Sequence, residues 1–64
     1  MNRALALAFF QLRVSERMTV LQDLNLHMPQ ASHETNQDYA GRILQKVSSE
    51  GLIRELESSM RRFQ

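Results

Sequence analysis

Residues 35–56 read TNQDYAGRILQKVSSEGLIREL, and this stretch decides the fold. Tyr39, Ala40, Ile43, Leu44 and Val47 recur at i, i+1, i+4, i+5 and i+8, the stripe of one helix face turned toward a core. The helix is predicted to start near Thr35 or Asn36. Asp38 then falls in its first turn, where the helix dipole favours a negative charge. Gly51 closes the helix, because a residue just past a helix end often takes the left-handed conformation that glycine adopts without strain. Leu52, Ile53, Leu56, Met60 and Phe63 make the stripe of a following helix, whose opposite face carries Arg54, Glu55, Ser58 and Arg61.

Toward the N-terminus, a helix is predicted over Arg3–Leu12, with Asn2 as its N-cap. Leu5, Ala8, Phe9 and Leu12 keep helical spacing, and Leu7 and Phe10 widen the stripe. A helix apolar on most sides either sits centrally or presents a face to something else. The next helix opens at Ser15 as N-cap, with Glu16 in its first turn. Met18, Leu21 and Leu24 form its expected core face, flanked by Val20, and Asn25 suits the left-handed stop. Between these two helices lie only Arg13 and Val14, a tight corner. Leu26 to Thr35 carries no sustained period, and Pro29 disfavours a helix through it, leaving room for a single turn at most. The fold expected is all-α: a compact bundle of four short helices, or five if that turn forms, with residues 1–64 as one domain.

The chain has 64 residues, eight Lys+Arg against seven Asp+Glu, and a formal charge of +1. That balance argues against a nucleic-acid arm, a polybasic membrane anchor or an acidic tail. There is no cysteine, so neither a disulfide nor a thiolate metal site supports the core. A chain this short buries only about 60% of its unfolded surface, so stability is scarce and docking on a partner or a second copy is physically useful. The apolar run Ala4–Phe10 is far below the roughly 20 residues of a membrane span. It resembles a signal-peptide core, but Phe9 and Phe10 are bulky where cleavage wants small residues. The expected compartment is the cytoplasm.

Catalytic chemistry is not legible. His27 and His33 fall in the loop near Glu34 and Asp38, without the i, i+4 histidine pairing of a helical metal site, and read as solvated imidazoles. Ser15, Ser32, Ser48, Ser49 and Ser58 lack a glycine-flanked elbow, and Gly41 and Gly51 do not make a phosphate loop. No catalytic, cofactor-binding or metal-binding residue is therefore expected. The Arg13-Val14 corner is short enough for a helix-turn-helix, so a small helical DNA-binding regulator is the alternative reading. Against it, Glu16 and Asp38 would meet phosphate at the two candidate helix starts, and charges alternate rather than cluster. Protein contact is the better reading.

The candidate interface residues are Arg42, Lys46 and Glu50, one face of the third helix, with Arg54 and Arg61 on the outer face of the fourth. Each also suits ordinary solvation, with Lys46–Glu50 contributing about 0.2–0.5 kcal/mol as a helical pair. Charge reversal at Arg42 and Lys46 is expected to weaken pairing without unfolding the chain. Phe10, Met60 and Phe63 read as core, and an exposed patch of them would mark an interface.

Two blocks carry a family resemblance. Phe9-Phe10-Gln11-Leu12, Arg17, and Val20-Leu21-Gln22-Asp23-Leu24-Asn25-Leu26 form the first. Arg42-Ile43-Leu44, Glu50-Gly51-Leu52 and Glu55-Leu56 form the second. Together, over residues 9–57, they resemble the effector-associated and GTPase-associated adaptor domains of bacterial conflict and signalling systems. The resemblance implies a death-domain-like helical module without enzymatic activity, which pairs with itself or a cognate domain to bring an effector to its sensor. It implies core roles for Phe9, Leu12, Leu21, Leu24, Leu26, Ile43, Leu52 and Leu56. Arg17 is implied to anchor a helix end or to bridge to Asp23 or another acid. One departure is Glu57, where the family often has an aromatic residue, so the packing of the last helix is not carried over.

Overall fold

The computed structural model describes residues 3–64. Four helices follow one another, α1 (Arg3–Gln11), α2 (Val14–Asp23), α3 (Asn36–Ser49) and α4 (Ile53–Arg61). No strand and no fifth helix occurs among the described residues, so the all-α expectation holds with four helices. The expected N-cap Asn2 lies outside the described residues. The long loop contains one tight turn, closed by Glu34 N–H donating to Ala31 O at 3.0 Å.

Helix ends are set locally. Thr35 caps α3, its hydroxyl oxygen accepting from Asp38 N–H at 3.1 Å, which satisfies one of the free amides of the first turn. The start of α2 differs from expectation: Arg13, not Ser15, is the N-cap. Arg13 is extended at the corner, and the Glu16 carboxylate accepts its backbone N–H at 2.8 Å. Glu16 therefore serves the helix start as an acceptor as well as a favourable charge.

α2 and α3 end in the same way. Asn25 (φ 57°) and Gly51 (φ 69°) are left-handed. Leu26 N–H donates to Leu21 O at 2.9 Å and Asn25 N–H to Gln22 O at 2.9 Å; Leu52 N–H donates to Val47 O at 2.8 Å and Gly51 N–H to Ser48 O at 3.1 Å. These are two Schellman ends, each followed by a leucine that folds back on the helix it leaves. The Leu24-Asn25-Leu26 and Gly51-Leu52 patterns thus encode two stops of one design.

The core joins all four helices: Leu5, Phe9 and Leu12; Val20, Leu21 and Leu24; Tyr39, Ile43, Leu44 and Val47; Leu56 and Met60. α1 packs on α3, and α4 on α2 and α3. The radius of gyration is 10.6 Å, close to the roughly 11 Å of a well-packed chain this long. Leu26, Leu52, Ile53, Phe10 and Phe63 are half-buried against this core. Glu57, where the resemblance departs, points outward beside the fully buried Leu56.

Two expected core positions lie outside. Met18 is 56% exposed and Leu7 67% exposed. On α2 the buried face turns instead through Val20, Leu21 and Leu24, because α4 packs there and Ser59 and Asp23 fix the contact. On α1 the Leu5–Phe9–Leu12 stripe is buried, Ala6, Ala8 and Phe10 are partly buried against it, and Leu7 is presented to the outside.

Candidate functional interface

The five candidate interface residues separate into Arg42, part of an intramolecular clamp, and four exposed charges, here called the ridge. Arg42 belongs to the clamp. Its Nε donates to Glu34 Oε2 at 2.9 Å and its Nη2 to Glu34 Oε1 at 2.8 Å, a bidentate fork. The same Nη2 donates to Pro29 O at 2.9 Å, and the guanidinium lies 5.4 Å from the Tyr39 ring centre. Tyr39 OH donates to Met28 O at 2.5 Å. Gln30 Nε2 donates to Glu34 O at 2.8 Å and to Asn36 Oδ1 at 3.0 Å. Three α3 side chains, Asn36, Tyr39 and Arg42, thereby hold the Met28–Glu34 segment down like a strap. Arg42→Glu would set a carboxylate against Glu34 and loosen the strap, so reversal at this position changes more than the surface charge.

The Glu34 carboxyl is held at about 2 by the Arg42 fork and then by Ala31 N–H, which donates to Oε1 at 3.1 Å. Its ordinary value is 4.5. A depressed folded value means that the clamp's contribution is complete above pH 4.5 and is lost as pH falls from 4.5 toward about 2. An NMR titration of the Glu34 side chain is expected to show a midpoint near 2, with the strap attached throughout pH 4–7. A midpoint at the ordinary carboxylate value would mean that the fork does not form. Burial raises the Tyr39 hydroxyl above its ordinary value, outweighing the Arg42 charge that lowers it. That phenol stays protonated as a donor at neutral pH.

The ridge is made of Lys46 and Glu50, paired at 3.5 Å with both side chains exposed, and of Arg54 across the Gly51-Leu52 turn. Arg61 stands two turns further along α4. Arg54 and Arg61 are exposed and form no salt bridge among the described residues. A solvent-screened pair such as Lys46–Glu50 adds little to stability, which leaves these charges available for association.

Other polar residues are absorbed by the fold. Arg17 Nη1 donates to Leu12 O at 2.7 Å and the guanidinium lies 4.8 Å from the Phe10 ring centre. It therefore anchors the end of α1 and does not bridge to Asp23. Asp23 instead accepts from Ser59 Oγ at 2.8 Å and pairs with Arg62, tying α2 to α4. Sequence reading misses this lock, since Ser59 interrupts an apolar stripe as a polar residue and its partner is distant in the chain. His27 and His33 are both exposed, Glu34 is committed to Arg42, and Asp38 is exposed at the start of α3. No group of three or more His, Asp or Glu side chains comes together as metal ligands among the described residues. No helix among them is long and apolar enough to cross a membrane.

Beyond the charged ridge, three large apolar side chains stand out of the surface: Leu7 at 67%, Val14 at 64% and Met18 at 56% exposure. Leu7 lines a groove between α1 and α3, and Val14 and Met18 line another between α2 and the strap. Phe10 and Phe63 are half-buried and Met60 is buried, so those three make no open patch. Among known proteins, the family model of the GTPase-associated adaptor domain matches residues 1–62. No curated protein and no solved structure matches the chain.

Proposed function

The chain belongs to the GTPase-associated adaptor domain family, and on that premise we propose that it is a non-enzymatic, cytoplasmic adaptor. Residues 1–64 work as one death-domain-like module that pairs with a second copy or a cognate domain. The pairing brings an effector to its sensor in bacterial signalling or defence. The family match carries this reading. The surface supports it: Lys46, Glu50, Arg54 and Arg61 are exposed charges of mixed sign, and their ion pair, Lys46–Glu50, is too weak to be kept for stability alone. Charges so placed steer a complementary surface and fix its register more than they add raw affinity. Arg42 contributes to that face indirectly, by holding the strap beside it.

The test reverses ridge charges that the fold does not use. Lys46→Glu with Arg54→Glu is expected to weaken binding to a cognate adaptor-domain protein by about tenfold or more. The melting temperature should stay close to that of the parent chain, because both side chains are exposed. Titration calorimetry and a melt on the same samples read both quantities. Undiminished binding would remove the ridge from the interface, and no binding to that protein or to itself at high micromolar concentration would overturn the adaptor reading.

A further inference from the structure

α1 carries two apolar stripes. Leu5, Phe9 and Leu12 enter the core, whereas Arg3, Ala6, Leu7 and Phe10 repeat at i, i+3, i+4 and i+7 along the wall of an open groove. Ala40, Gly41 and Asp38 of α3 line the same groove, and Leu7 is two-thirds exposed beside them. Among the described residues, the formal charges lining the groove are Arg3 and Asp38, one of each sign. Both are exposed and neither forms a salt bridge among the described residues.

We infer that this groove is the interface of a symmetric pair with a second copy of the chain. The charges select that occupant. One cation and one anion flanking an apolar centre carry no net charge to attract a uniformly acidic or basic partner. They complement their own two-fold image, in which each Arg3 meets the other copy's Asp38 and the two Leu7 side chains fill the centre. In an isologous contact residue i meets j and j meets i, so one such pair of opposite charges is satisfied twice. This inference rests on the adaptor reading, takes its homotypic form and assigns it a face separate from the ridge.

A charge swap tests it. By sedimentation equilibrium the parent chain is expected to dimerise, and Arg3→Asp and Asp38→Arg each to dimerise at least about tenfold more weakly through like-charge contacts. An equimolar mixture of these two variants is expected to restore dimers as heterodimers, since both cross pairs then join Asp to Arg. Asp38 also suits the first turn of α3, so each variant's melt is recorded. Leu7→Glu, at an exposed site outside the core, abolishes dimers without touching that turn. A monomeric parent chain near 1 mM, single variants that dimerise like the parent, or a mixture that stays monomeric would each overturn the inference. Lys46→Glu with Arg54→Glu should leave the dimer intact. A monomeric parent chain that still binds its cognate protein would sink the groove and leave the adaptor reading standing, whereas failure of both associations would sink that reading too.

Discussion

Phe9→Ala is expected to remove most of the chain's folding stability at 25 °C. Phe9 is 2% exposed and sits where α1 meets the core, its ring edge-to-face with Phe10 at 5.4 Å between centroids. Truncating a buried phenylalanine costs about 3–5 kcal/mol, the lost transfer energy plus the cavity left behind. Ordinary stability, at about 0.05–0.15 kcal/mol per residue, amounts to roughly 3–10 kcal/mol for a chain of this length. The substitution therefore removes most of the available margin. Neighbours cannot collapse freely into the space, because Arg17 covers Phe10 and fastens the end of α1 at Leu12. Circular dichroism through a urea titration checks this. A transition midpoint close to that of the parent chain would show that the core does not depend on this ring.

Arg42→Ala is expected to release the strap while leaving the four helices folded. The substitution removes the fork to Glu34 and the bond to Pro29 O together. Tyr39 OH on Met28 O then remains as the main α3 side-chain tie to the segment. Hydrogen exchange should rise on the order of tenfold or more at the Ala31 and Glu34 amides, the signature of local opening. Amides around Ile43 and Val47 should keep their protection, since those side chains are buried independently of the strap. The Glu34 carboxyl should move from about 2 back toward 4.5. Exchange that rises equally throughout α3 would mean that the clamp holds the whole fold rather than one segment. The result bears on the interface as well, because a loosened strap changes the surface next to the ridge without altering the ridge itself.

Helix identities and stops were legible because their signals are local. Thr35 with Asp38, Asn25 with Leu26 and Gly51 with Leu52 act over three to five residues, a range within which backbone hydrogen bonds close. The Ser15 expectation failed for a related reason. A serine beside a helix start reads as a cap, but the corner geometry made Arg13 the cap and Glu16 its acceptor. The core face of α3 followed from periodicity, since a long helix with one apolar stripe has one way to be buried. α1 and α2 were harder, because a helix with more apolar residues than one face can hold does not say which face turns inward.

By itself, then, the sequence determined four helices, two glycine-like stops, a core drawn from their stripes and a surface of mixed charge, all from periodicities and short-range chemistry. Only the tertiary structure decided which charges were free. Arg42 and Lys46 sit one turn apart on α3, yet Arg42 is consumed by Glu34 and Pro29 while Lys46 keeps only an exposed partner. It also decided that Leu7 and Met18 face outward and that Ser59 meets Asp23. Such contacts join residues distant in the chain, and their strength depends on the angle at which helices pack. No short window of sequence records that angle.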